Sequence, residues 1–309
     1  MLSGPYLGMP HPGGVPEVFA PGVVSDVFSE HSGAVFSPDG KELFWTSVIN
    51  EGRTPRTVVV LHMREVDGVW SEPVLAPFSR GPYTHINSIS PDGNRLYFYS
   101  ETTDGAGGAW VVEKTGEDWS ESRPLALTAE YFPGRVVNEV HETSSGNLYF
   151  SGPLEKMPGG RGIVRSRLEN GSFLPFESLG PEVNLPHSDW FPNHSPTVDP
   201  DERFLVFVST RPRGFSEQDL YVSFRSSDDT WGPAINLGPE INVPGTRNSW
   251  PQLSPDGQYL FFVRVEPLAG EEPRSYAELK SAQQSILNGW GNIYWVAIES
   301  VEAFRELIR

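Results

Sequence analysis

Ser254-Pro255-Asp256-Gly257-Gln258-Tyr259-Leu260-Phe261-Phe262-Val263 decides the fold, because the chain repeats its pattern five times. Ser37-Pro38-Asp39-Gly40 and Ser90-Pro91-Asp92-Gly93 are full copies of the turn, and Ser144-Ser145-Gly146 and Asp199-Pro200-Asp201-Glu202 are degenerate ones. Successive copies lie about 53–56 residues apart. Proline presets φ and glycine accepts positive φ, so each copy reads as a tight hairpin turn. An aromatic strand follows every turn: Leu43-Phe44-Trp45, Leu96-Tyr97-Phe98-Tyr99, Leu148-Tyr149-Phe150, Leu205-Val206-Phe207 and Leu260-Phe261-Phe262. A third strand is expected at 57–62, 109–113, 162–166, 219–224 and 292–298. A fourth is expected where an aromatic precedes Pro or Ser: Trp70-Ser71-Glu72-Pro73, Trp119–Ser122, Phe173-Leu174-Pro175 and Trp231-Gly232-Pro233. Four short strands per repeat of this length are the signature of a propeller blade.

The fifth copy lacks its fourth strand, and residues 16–25 align with 233–242. The expected fold is therefore all-β: a single five-bladed β-propeller domain closed by an N-terminal strand, which removes two exposed sheet edges. The blades run over about residues 31–79, 80–129, 130–184, 185–242 and 243–298, with the closing strand at 16–25. One insertion, roughly 266–291, interrupts blade five. Ser275-x-x-Glu278 is a capping box and Gly289 a stop, which predicts a short helix, either a lid or decoration. Residues 299–309 read as a short amphipathic helical tail.

Composition agrees. Thirty-one Gly, 29 Pro and 37 aromatic residues (18 Phe, 10 Tyr, 9 Trp) describe a chain that turns often and packs rings between the turns. A net charge of −17 argues against nucleic acid or an anionic membrane as partner, since phosphate contacts need Lys and Arg. Cysteine is absent, which excludes disulfides and thiolate metal sites. No apolar run is long enough for membrane insertion. Residues 1–6 have neither a basic n-region nor an apolar h-region. Two readings of location follow: cytoplasmic, or periplasmic or secreted after removal of a signal peptide.

The repeated Ser-Pro-Asp-Gly-x-x-Leu-Tyr-Phe pattern, together with Gly214-Phe215-Ser216-Glu217-Gln218-Asp219-Leu220-Tyr221-Val222, resembles the TolB-type propeller repeats of bacterial proteins. The resemblance covers nearly the whole chain and implies a bacterial, often exported, propeller. It does not single out an activity. The family mixes periplasmic interaction modules, peptidase-associated propellers and sugar-active enzymes such as oligogalacturonate lyase. TolB itself has six blades and a further domain, neither of which this sequence shows.

Function in such a ring is expected at one mouth of the central channel, on the innermost strand before each turn. Aligned on the turns, the five copies place Ser32, His85, Asn138, His194 and Ser249 in one column. His31, Thr84, Val137, Asn193 and Asn248 stand one step earlier, and Gly33, Ile86, Glu139, Ser195 and Trp250 one step later. Four of seven histidines (His31, His85, His141, His194) fall on these strands. His85, His194 and Glu139 are the candidate catalytic groups, for a lyase or hydrolase step. His31, His85 and His194 on three blades suit a divalent Zn or Mn ion, a reading that rests on register alone. Glu30, His31, Tyr83, Asn87, His141, Asp189, Trp190, Asn193, Arg247 and Trp250 are candidate ligand-binding residues. Aromatic rings beside amides and carboxylates suit a small-molecule or glycan ligand. Two alternatives stand beside this one. The histidines are structural, each satisfied by a neighbouring blade; or the propeller is a non-catalytic module binding a protein or cell-surface glycan partner through its rim. A Ser–His–Asp triad has no privileged nucleophile here, and the carboxylate pair of a glycosidase is thinly represented by Glu30, Glu139, Glu142 and Asp189.

Overall fold

Each Ser-Pro-Asp-Gly turn is held by its own side chains. Ser37 Oγ donates to Asp39 Oδ1 (2.5 Å) and accepts from Glu42 N (2.8 Å), while Gly40 takes φ 71°. Ser90 and Ser254 repeat both bonds, with Gly93 and Gly257 at φ 74° and 69°. In the fourth copy Glu202 stands at the glycine position with φ 59°, a conformation unfavourable for a side chain. Its carboxylate accepts from Thr143 Oγ1 (3.0 Å), Ser145 Oγ (2.7 Å), Asn147 Nδ2 (2.7 Å) and Tyr149 Oη (2.7 Å) of the preceding repeat. These four bonds explain why this copy of the turn departs from glycine.

In a computed structural model these hairpins build a five-bladed β-propeller. Residues 1–49, 57–79, 81–101, 107–125, 127, 137–154, 161–185, 192–268 and 275–305 are described. The innermost strands are Ser29–Glu30 with Val35–Phe36, Thr84–Ile89, Asn138–Glu142, Asn193–Val198 and Arg247–Leu253. The second strands are Glu42–Val48, Arg95–Glu101, Leu148–Pro153, Phe204–Ser209 and Tyr259–Val265; the third are Val58–Val66, Gly107–Thr115, Arg161–Ser166, Asp219–Phe224 and Gly291–Ala297. The fourth strands lie a few residues later than the sequence pattern implies, at Val74–Leu75, Arg123–Pro124, Glu177–Ser178 and Ile235–Asn236. The aromatic of the pattern belongs instead to the turn that ends the third strand. Val69–Trp70 pairs back on Glu65 and Val66, and Trp70 is buried with its Nε1 donating to Gly4 O (2.9 Å).

The fifth sheet takes its outer strand from the N-terminus: Glu17–Val18 pairs antiparallel with Trp295 and Tyr294. The alignment of 16–25 with 233–242 holds at its end and slips by one residue in the strand, where Phe19 N donates to Ile293 O as Leu237 N donates to Leu220 O. Asn242 clamps the main chain of Leu220, accepting from its N (2.8 Å) and donating to its O (3.0 Å). Ser25 does the same to Ile293, at 3.1 and 3.3 Å. Phe19, fully buried, packs within 5.0 Å of Phe261 and 5.2 Å of Trp295 between ring centroids. The insertion in blade five carries the helix Tyr276–Gln283, whose N-cap Ser275 accepts from Glu278 N (3.2 Å) and which buries none of its residues. The tail forms two short 3-10 turns, Ile298–Ser300 and Glu302–Phe304, and seats Phe304 against Phe204 (5.3 Å). No helix among the described residues is long and apolar enough to cross a membrane.

Carboxylates tie the seams of the first four blades. Glu42 accepts from Arg64 Nη2 (2.9 Å) and from Lys114 of blade two. Glu142 accepts two bonds from Arg95 (2.9 and 2.6 Å) and one from Tyr97 (2.7 Å). Burial works against the charge on Glu42, yet bonds from His62, Lys114 and Arg64 outweigh it and hold its carboxyl down at about 2. The seam between blades five and one is aromatic. Replacing Phe19 with Ala should therefore cost about 3–5 kcal/mol by denaturant unfolding. Phe28→Ala, at a half-exposed site, should stay within about 0.5 kcal/mol of the parent. Equal effects would show that closure does not depend on the ring packing.

Candidate functional site at the channel mouth

All five innermost strands lose their register at one level. Blade one is interrupted between Glu30 and Val35, and bulges fall between Ile86 and Ser88, Asn138 and His141, His194 and Thr197, and Ser249 and Gln252. Glu139, Ser195 and Trp250 occupy these bulges with φ of 59°, 48° and 55°. Bulges re-aim side chains and recur beside functional sites, and positive φ at bulky residues is a strained conformation. Gly33 is the matching residue of blade one. A Cβ there would lie 2.7 Å from Trp250 O and 2.8 Å from Gln252 Cγ, so only glycine lets blade five approach this closely.

The interruptions gather five rings from blades one, two and five. His85 is buried; its ring lies 4.8 Å from Trp250, 5.1 Å from Tyr99, with which it stacks, 5.7 Å from Tyr83 and 6.0 Å from His31. His31 lies 5.1 Å from Trp250, and its Nε2 is 2.9 Å from Tyr83 Oη. Burial, reinforced by His31, pushes the His85 pKa well below its ordinary value and keeps the ring neutral. His31, Tyr83, Tyr99 and Trp250 are partly exposed, so the cluster presents ring faces and edges to the mouth.

Across the ring, Glu139 joins blade three to blade four. Oε2 accepts from Ser195 N (2.7 Å) and from Ser151 Oγ, and Oε1 accepts from Ser195 Oγ (2.8 Å). His194 Nδ1 lies 2.9 Å from Ser195 Oγ and 3.8 Å from Glu139 Oε1. His194 thus belongs with Ser195 and Glu139, while His31 and His85 belong with the aromatic cluster. Among the described residues no three His, Asp or Glu side chains are placed to hold a metal ion, so the set His31, His85 and His194 does not fit Zn or Mn.

The remaining candidates are dispersed. Asn87 is buried, and its carbonyl accepts from Gln252 Nε2 (2.8 Å). Asn193 turns towards its own blade, 2.8 Å from Ser209 Oγ. Arg247 is exposed at the start of its strand, and His141 lies further down the channel. Asp189 and Trp190 lie outside the described residues. Glu30 is buried, and neither carboxyl oxygen has a hydrogen-bond partner among the described residues. Burial first, and Asp26 second, raise its pKa well above 4.5. The sequence reading missed Tyr99 and Ser195. Tyr99 stands in the aromatic strand common to every repeat, and only its pairing with His85 sets it apart.

No family model and no curated protein matches the chain. Solved structures with a similar course include TolB from Acinetobacter baumannii, at 15% identity and TM-score 0.45, over 87% of this chain and 54% of that one. The chain thus spans about half the length of that TolB. A thermostable family-43 glycoside hydrolase is similar at 13% identity and TM-score 0.47, over 79% of this chain and 86% of the other. The periplasmic gluconolactonase of Pseudomonas aeruginosa is similar at 15% identity and TM-score 0.40, over 78% and 73%.

The buried acid and the buried imidazole make opposite pH predictions. Glu30 stays protonated when folded but ionises at its ordinary value when unfolded, so its effect lowers stability as pH rises above 4.5. Glu30→Gln should then be more stable than the parent at neutral pH, with the gap closing towards pH 4.5. A Tm–pH series that keeps the two proteins parallel would contradict this. His85 stays neutral when folded, so its effect lowers stability as pH falls below 6.5, and His85→Gln should flatten that limb.

Proposed function

We propose that the ring cluster at the channel mouth binds a neutral glycan or a small carbohydrate. The observation that carries this reading is the five-ring wall of His31, Tyr83, His85, Tyr99 and Trp250, with its central imidazole held neutral. Ring faces pack against the apolar faces of sugars, and neutral imidazole and phenol groups exchange hydrogen bonds with hydroxyls at no charge-desolvation cost. The strongly acidic surface disfavours anionic ligands.

Binding is the leading reading, because three hydrogen bonds already occupy Glu139 and leave it ill suited to accept a substrate proton. A hydrolase step is the second reading, favoured by the half-exposed His31–Tyr83 pair, which can hold a proton at Nε2 beside a bound glycosidic oxygen. The test is a fluorescence titration with xylohexaose, cellohexaose and maltohexaose as probes. A saturable change with at least one probe, weakened about tenfold or more in Trp250→Leu, supports the site. Saturation with none, or unchanged affinity in Trp250→Leu, overturns it. New reducing ends on long incubation, absent in His31→Gln, would convert the binder into a hydrolase.

A further inference from the structure

Hydrogen bonds join innermost strands of different blades across the channel. Midway, Gln252 of blade five donates to the carbonyl of Asn87 in blade two (2.8 Å), and Ser88 Oγ donates to Val140 O of blade three (2.6 Å). Below this bar, on the face of the Ser-Pro-Asp-Gly turns, lies a separate cavity of ≈ 300 Å³ lined by residues of all five blades. Its collar is apolar, with Pro38, Pro91, Pro200 and Pro255 contributed by four successive turns.

Its polar lining is of two kinds. Glu142 is consumed by Arg95 and Tyr97, and the turn serines Ser90 and Ser254 by their own aspartates. His141 and Thr197 are different. They are 6% and 2% exposed, line the cavity, and make no side-chain hydrogen bond to another described residue. Gln252 spends only its amide nitrogen on Asn87, leaving Oε1 open. None of these polar atoms is sealed off without a partner, so they reach the cavity, and three of them converge there from three adjacent blades. Burial keeps His141 neutral, with its pKa lowered to about 3, so the ring offers one donor and one acceptor. No uncompensated charge faces the cavity, which disfavours an ionic occupant.

We propose that this vestibule is a second binding site, for an uncharged polyhydroxylated molecule of monosaccharide size, with His141, Thr197 and Gln252 as its hydrogen-bonding floor and the proline collar against its apolar face. The bar formed by Asn87 and Gln252 makes it independent of the mouth described above, and each site has its own reporter.

The experiment follows the imidazole resonances of His141 by NMR in the intact chain, assigned by their loss in His141→Gln. The probes are D-glucose and myo-inositol, with glucose 6-phosphate and glucuronate as charged counterparts. The expected result is a saturable shift in the millimolar range with at least one neutral probe and none with its charged counterparts. Thr197→Val, which keeps the side-chain shape and removes the hydroxyl, should weaken that affinity about tenfold and leave the fluorescence response of Trp250 to oligosaccharides unchanged. No saturable shift with either neutral probe, equal binding of the charged counterparts, or unaltered affinity in Thr197→Val would each overturn the proposal. Loss of the Trp250 response alone would count against the mouth and not the vestibule.

Discussion

The pairing of Glu17–Val18 with Gly291–Ala297 is the contact on which the ring depends. Five sheets arranged radially leave one seam that chain continuity does not secure, between the last blade and the first, and an open ring would expose two sheet edges. Two residues of strand pairing are too few to hold that seam. The remainder comes from Ser25 fastening Ile293 and from the rings of Tyr6, Phe19, Phe36, Phe261 and Trp295. The first seams are fastened differently, by Glu42, Glu142 and Glu202, each buried and each given several donors. Carboxylates with full hydrogen-bond shells are directional and set blade spacing, whereas the aromatic seam accommodates a strand arriving from the far end of the chain.

With the ring closed, the innermost strands of the five blades converge, and all of them break register at one level. The break appears as a gap in blade one and as bulges in the others. Because the break is common, whatever residue stands there is turned towards the mouth or towards a neighbouring blade. Glycine at position 33 admits Trp250, Glu139 reaches Ser195, and Trp250 reaches His31 and His85. The lining of the mouth is therefore asymmetric in composition while symmetric in backbone.

That distinction explains what the sequence disclosed. The turns, the second strands, the closing segment and the capped helix all follow from local rules of φ, period and capping, and the chain states each of them several times. The offset of the fourth strands was hidden, because Trp70 and its counterparts mark a turn whose role is to place an indole between blades. Alignment on the turns put His31, His85 and Trp250 in neighbouring columns, and their rings lie together in the structure. It carried no information on azimuth, so His194 shared their height while packing with Glu139 on the other side, and the expected metal set dissolved. Nor did it show that Glu139 is fully bonded or that Glu30 is sealed, since both depend on partners from other repeats.

The same geometry makes the molecule two-faced. Above the bar of Asn87 and Gln252, rings dominate and the one fully buried imidazole is enclosed by other rings. Below it, prolines from the turns form the collar and the unpaired donors and acceptors form the floor. Both faces keep one histidine neutral by burial, reinforced at the mouth by His31, so that neither His85 nor His141 carries charge near neutral pH. Recognition at either proposed site then rests on shape, ring contact and hydrogen-bond complementarity. The acidity of the chain is left to the seams and the outer surface, where Arg64, Arg95, Arg165 and Arg225 balance part of it. Charges committed to the seams and to Glu139, and imidazoles kept neutral by burial, are the features on which the proposal of neutral ligands rests.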